Sequence, residues 1–79
     1  MNKLQSEYAH AQWRAHERYG ITLTKELHNT LRGKIKRQAA KFLYRRTLRV
    51  TIWEVEHEGE TYKVAYDKIR HCIITFLPK

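Results

Sequence analysis

The spacing of apolar residues changes once along this chain, from a helical period in the first half to an alternating one in the second. Residues 4–19 predict a helix, because apolar side chains recur every three or four positions. Its apolar stripe is Leu4, Tyr8, Ala11, Ala15 and Tyr19. Gly20 is predicted to end it in a left-handed conformation, and Thr24 to cap a second helix. The apolar stripe of that second helix is Leu27, Leu31 and Ile35.

The second half predicts strands, because β-branched and aromatic residues alternate with polar ones. The three predicted strands are residues 49–56, 61–67 and 71–77. Gly59 is expected to supply the positive φ of the turn between the first two. Residues 39–46 fit either an extension of the second helix or a further strand. If they are extended, the fold is α+β, with two N-terminal helices packed on a four-stranded antiparallel sheet in the order ααββββ.

The length and composition limit what the chain can be. Seventy-nine residues make a single domain, 1–79, with one thin core rather than a deep enclosed pocket. No apolar run is long enough to span a membrane, and no apolar secretory segment opens the chain. The lone Cys72 excludes an internal disulfide and is expected to be buried. These features predict a cytoplasmic protein.

Basic residues outnumber acidic ones, 16 to 8, which gives a formal net charge of +8. Such an excess favours nucleic acid, an acidic protein or anionic lipid as partner. Residues 32–49 are rich in Lys and Arg and contain no acid, whereas residues 54–60 hold four glutamates. The basic segment is either a solvated surface or a polyanion contact, and we expect the contact. The predicted phosphate-binding residues are Lys34, Lys36, Arg37, Lys41, Arg45, Arg46 and Arg49.

The first helix concentrates ionisable side chains on one flank. His10, Arg14 and Arg18 are spaced four residues apart, so they form a ladder along the helix. Two arginines can clamp a phosphate, and a histidine can transfer a proton near neutral pH, as RNA cleavage requires. Alternatively, Arg14 pairs with Glu17 and the ladder is structural. Trp13 is either an exposed platform for an unpaired base or packed under a loop.

No metal or cofactor is predicted. The histidines and Cys72 do not have the spacing of a zinc site. The sequence contains neither a phosphate-binding glycine loop nor a dinucleotide fingerprint.

Two motifs resemble those of small phage and prophage proteins. The first is HAQWRAHERYGI, residues 10–21, followed by Leu23 and Thr24, and the second is VAYDKIRHCIITFLP, residues 64–78. Those proteins are similar to the barnase–EndoU–colicin–RelE superfamily, whose members have N-terminal helices followed by a four-stranded antiparallel sheet. The superfamily includes metal-independent ribonucleases as well as inactive and binding-only members. The resemblance implies a catalytic set of His10, Arg14, Arg18 and Thr75, and a location in the host cell cytoplasm.

Two functional hypotheses follow. In the first, the protein binds RNA and is either a metal-independent ribonuclease or an inactive relative. In the second, it is a phage host-takeover factor that binds and inhibits a host protein. Its anchors would then be Trp13, Trp53 or the tyrosines, because aromatic residues dominate interface energies, with residues 54–60 as a second contact. The sequence leaves the oligomeric state open.

Overall fold

The computed structural model describes the backbone of residues 3–78 and the side chains of residues 8–78. Its elements are α1 (Lys3–Tyr19), α2 (Lys25–Lys36), β1 (Lys41–Arg45), β2 (Val50–His57), β3 (Glu60–Asp67) and β4 (Cys72–Phe76). The strands form one antiparallel sheet in the order β1-β2-β3-β4. The predicted ααββββ arrangement of the α+β class is confirmed. The ambiguous segment 39–46 contains an edge strand and does not extend α2.

The helix ends follow from local chemistry. Gly20 has a φ of 67° and its N–H donates to the carbonyl of His16 over 3.0 Å. The Thr24 hydroxyl accepts the N–H of Leu27 at 3.1 Å and thereby caps α2. Both features were predicted. At the other end of α2 a non-glycine residue, Gln38, takes the left-handed conformation, with a φ of 58°.

The core lies between the two helices and one face of the sheet. On the sheet side, β3 contributes Tyr62, Val64 and Tyr66, which alternate along the strand and so share a face. The other core residues are Ala11, Ala15, Leu23, Leu31, Ile35, Val55, Ile73 and Phe76. The side chain of Leu4, predicted for the same stripe, lies outside the described residues. Within the described part of the chain, no helix is both long and apolar enough to cross a membrane.

α1 is fastened to the end of β4 by polar contacts. The Arg18 guanidinium donates to the carbonyl of Phe76 over 2.8 Å. The Tyr19 hydroxyl donates to the carbonyl of Leu77 at 2.8 Å and accepts the N–H of Lys63 at 3.1 Å. These bonds place the C-terminal turn of α1 over β3 and β4.

Two register shifts reorient side chains at the edges of the sheet. In β1 the shift falls between Phe42 and Tyr44, and against β4 it falls between Ala65 and Tyr66 of β3. Tyr44 pairs with Ile52, and Thr75 pairs with Ala65. Since Ile52 and Ala65 alternate with core-facing neighbours, Tyr44 and Thr75 lie on the face of the sheet that points away from the helices.

Candidate nucleic-acid interface

Six of the seven predicted phosphate-binding residues are exposed: Arg49, and a group of five that lies around β1, namely Lys36, Arg37, Lys41, Arg45 and Arg46. They run from the last turn of α2 through the connection into β1 and just beyond it. Within the described part of the chain, none of these five side chains has an ion pair or a side-chain hydrogen bond. Their charges are therefore not neutralised inside the molecule.

Lys34 and Arg49, in contrast, are held by the protein itself. The Lys34 ammonium donates to the carbonyl of Glu56 over 2.7 Å and lies 3.3 Å from Nδ1 of His57. The Arg49 guanidinium donates to one oxygen of Asp67 from Nη2 at 2.9 Å and from Nε at 3.2 Å. These contacts tie α2 to β2, and the β1–β2 connection to β3. Both residues thus have structural partners that the charge pattern did not indicate.

Two aromatic side chains stand among the exposed bases. Phe42 and Tyr44 are 50% and 49% exposed. Phe42 packs edge-on against Trp53, with ring centroids 5.3 Å apart, whereas Tyr44 has no aromatic or hydrogen-bond partner in the described part of the chain. We refer to Lys36, Arg37, Lys41, Phe42, Tyr44, Arg45 and Arg46 together as the β1 surface. It follows the edge strand, with Phe42 on the helix side of the sheet and Tyr44 on the other side. The two aromatic members were not predicted as nucleic-acid contacts, although their alternation with basic residues in KFLYRR was the available signal.

The exposed flank of α1 forms a second, smaller cluster. The Arg14 guanidinium carbon lies 4.4 Å from the centre of the Trp13 ring, and Nη1 of Arg14 lies 2.8 Å from a carboxylate oxygen of Glu17. The His10 and Trp13 ring centroids are 6.2 Å apart. Trp13 is 54% exposed and so is not packed under a loop. The Arg14–Glu17 pair is the structural alternative that the sequence left open.

The four residues implied by the resemblance are not gathered at one point. Arg18 is bound to the backbone of β4, and Thr75 lies on the face of the sheet that points away from α1. His10 is exposed on α1, on the other side of the sheet. General acid–base chemistry needs its groups within hydrogen-bond reach of one substrate. A catalytic role for His10, Arg14, Arg18 and Thr75 stays a prediction, and the geometry gives more support to binding.

Asp67 lies at the C-terminal end of β3, opposite Val50 of β2, and its carboxylate is buried, with the residue 3% exposed. Besides Arg49, it accepts the backbone N–H groups of Ile69 at 2.9 Å and Arg70 at 3.1 Å. Burial alone would raise the pKa of Asp67. The hydrogen bonds from Arg70, Arg49 and Ile69 and the charge of Arg49 outweigh burial and hold that pKa below its usual value. Asp67 therefore stays ionised and orients Arg49.

Among the described residues, no group of three or more His, Cys, Asp or Glu side chains could hold a metal ion.

In comparisons with known proteins, the chain matches no protein family model, no curated protein and no solved structure. The resemblance to the ribonuclease superfamily consequently stays a prediction from two motifs. The function is therefore inferred from the geometry of the described residues.

Proposed function

We propose that this protein binds single-stranded RNA on the β1 surface. The observation that carries the proposal is the set of five exposed basic residues, beside two exposed aromatic rings on an edge strand. These five have no ion pair or side-chain hydrogen bond within the described part of the chain. Like charges held close together repel, and a phosphate backbone relieves that repulsion while releasing its counterions. Aromatic rings next to such a track stack on unpaired bases.

A single strand suits this surface better than a duplex. The bases of a duplex are stacked on one another, so Phe42 and Tyr44 could reach them only at an end or a bulge. The β1 surface is also a short strand rather than a helix that could enter a groove. RNA is the nucleic acid that the resemblance to a ribonuclease superfamily favours.

The proposal is tested by replacing two basic residues of the β1 surface. An Arg45→Gln/Arg46→Gln variant is titrated with a fluorescent 5′-hydroxyl oligoribonucleotide of about 12 nucleotides at several salt concentrations. We expect this variant to bind RNA more weakly. The slope of log affinity against log salt concentration should be shallower by about 1.4, since each phosphate contact to a single strand contributes about 0.7. A charge-matched Lys63→Gln/Lys68→Gln variant, with both changes outside the β1 surface, should keep the wild-type slope. An unchanged slope in the Arg45/Arg46 variant would rule out these residues as phosphate contacts.

Two other outcomes belong to the remaining hypotheses. Cleavage of labelled RNA in EDTA by the wild type, and not by His10→Ala, would add a metal-independent ribonuclease activity to the binding. Absence of RNA binding, together with nuclease-resistant capture of one host protein, would favour the host-takeover factor instead.

A further inference from the structure

A cleft of about 350 Å³ opens between α1, α2 and the β3–β4 turn, away from β1. This volume lies in the range of small-molecule sites. Its cationic lining residues are Lys25, Arg32 and Arg70, and no acidic side chain is among the described residues that line it. The cleft is thus a concave, positively charged site, which the sequence analysis did not foresee.

His28 lines this cleft and is 8% exposed. Its Nε2 accepts the backbone N–H of Ile73 at 3.1 Å, and the edge-on ring of Tyr8 packs beside it at 5.6 Å between centroids. Only a deprotonated Nε2 can accept that bond, so the ring proton resides on Nδ1. Burial, and then the charge of Arg32, lower the pKa of His28 and keep the ring neutral.

The Nδ1–H group of His28 is left without a partner in the described part of the chain. A buried donor without an acceptor is costly, and a ligand with acceptor oxygens would remove that cost. Lys25 and Arg32 flank His28 on α2, three residues before and four residues after it, so the helical repeat places all three on one side. Arg32 uses Nη1 for the carbonyl of His71 at 3.2 Å, which leaves other guanidinium N–H groups for a ligand.

We propose that this cleft binds a phosphate monoester, with Lys25 and Arg32 as the cationic clamp and His28 as a neutral donor. A monoester carries close to two negative charges and three acceptor oxygens near neutral pH. That charge matches a site with several cations, and no acid among its described lining residues, better than a single carboxylate does. The ligand is either a free mononucleotide or the 5′-terminal phosphate of an RNA. The proposal stands independently of RNA binding at the β1 surface.

The test compares AMP with adenosine by calorimetric titration of the whole protein. We expect AMP to bind at least about tenfold more tightly, since only AMP offers charge-assisted hydrogen bonds. A Lys25→Gln/Arg32→Gln variant should lose that advantage. The matched control is Lys36→Gln/Arg37→Gln, which changes the same residue types at the C-terminal end of the same helix, outside the cleft. This control should bind AMP as the wild type does, even where it weakens RNA binding at the β1 surface.

Two results would overturn the proposal: equal affinity for AMP and adenosine, or AMP binding that persists in Lys25→Gln/Arg32→Gln. Since Arg32 also holds the β3–β4 turn, the single variant Lys25→Gln checks that lost binding does not reflect a loosened fold, and it too should weaken AMP binding. In the wild type, saturating AMP should shift the amide resonance of Ile73, because that amide donates to His28. An unshifted resonance would also contradict binding in the cleft.

Oligoribonucleotides with and without a 5′-phosphate then identify the source of the phosphate. If the 5′-phosphate strengthens binding in the wild type and not in Lys25→Gln/Arg32→Gln, the cleft receives an RNA end. If AMP binds while the two oligonucleotides do not differ, the ligand is a free nucleotide. Both results support a phosphate-monoester site.

Discussion

Asp67 connects three parts of the molecule through one carboxylate. It holds Arg49 from the β1–β2 connection and the two backbone N–H groups of the β3–β4 turn. A single aspartate at the end of a strand is not distinctive in a sequence, and its partner Arg49 is 18 residues away. The importance of Asp67 therefore became apparent only once the register of β2 and β3 was known.

Replacing Asp67 by asparagine should destabilise the protein by about 2 kcal/mol, because four hydrogen bonds lose a charged acceptor. Burial disfavours the charged form, yet the hydrogen bonds keep the folded-state pKa below the ordinary value of 3.8. The stabilisation is thus present above that value and is lost as the pH falls through the folded-state pKa. Urea denaturation at several pH values measures this. Asp67→Asn should lack that acid-dependent loss, whereas the exposed control Glu58→Gln should retain it.

His28 should make the free energy of unfolding depend on pH in a second range, above that of Asp67. Its folded-state pKa is lowered from 6.5 by burial and by Arg32, so protonation favours the unfolded chain. The stabilisation is present above the unfolded-state value and is lost as the pH falls below it, towards the folded-state pKa. Denaturation from about pH 8 to about pH 5 follows this window. His28→Gln should flatten the dependence and the exposed His16→Gln should not; equal slopes in both variants would contradict a buried neutral His28.

At the scale of elements, the sequence predicted the features that have strong local chemistry. Gly20, Thr24 and Gly59 each occupy the position expected for a helix end, a helix cap and a turn. The end of α2 was left open because Gln38, rather than a glycine, adopts the left-handed conformation. Two backbone bonds support it there, from Gln38 to Ile35 at 3.0 Å and from Ala39 to Lys34 at 2.7 Å.

The strand β1 was ambiguous for a related reason. The register shift near Leu43 puts Phe42 opposite Trp53 and Tyr44 opposite Ile52, so two residues at even spacing lie on different faces. A bulge of this kind removes the period of two by which strands are recognised. The same bulge exposes Tyr44 on the face away from the helices.

Tyr44 gives the β1 strand its most direct test as a binding element. Tyr44→Leu keeps an apolar side chain but removes the stacking ring, so affinity for single-stranded RNA should fall about 10- to 100-fold. Binding to a blunt RNA duplex should change little, since its bases are not available for stacking. Fluorescence anisotropy measures both.

The control for Tyr44 is Trp13→Leu, which removes an equally exposed ring from α1. If the nucleobases of RNA stack on the β1 surface, Trp13→Leu leaves the affinity for single-stranded RNA unchanged. If Trp13→Leu lowers the affinity for single-stranded RNA more than Tyr44→Leu does, the nucleobases stack on α1 instead.

At the scale of the whole molecule, the sheet separates the features that the sequence grouped together. α1 packs along β4, at the opposite edge of the sheet from β1, so the histidine–arginine ladder and the basic segment do not form one site. Thr75 is turned to the other face by the register shift against β4. Residue spacing within one helix was predictable, but the faces on which distant strands present their side chains depend on long-range register.

The salt dependence of RNA binding reports how many basic residues contact phosphates, and the sequence and the structure give different numbers. All seven predicted bases would give a slope of about −5 in log affinity against log salt, at about 0.7 for each contact with a single strand. Because Lys34 and Arg49 are bound to Glu56 and Asp67, we expect only the other five to contribute, with a slope of about −3.5.

The slope is measured with a 5′-hydroxyl oligoribonucleotide, so that the phosphate-monoester cleft does not contribute to it. Asp67→Asn gives an independent check, because it weakens the hold on Arg49 and should steepen the slope towards that of six contacts, about −4.2. Lys34 stays bound to the backbone of Glu56 in that variant. A wild-type slope near zero would remove the basis for phosphate binding at the β1 surface. In that event the five exposed basic residues would be expected to bind an acidic protein, since no acidic side chain of the described chain neutralises them.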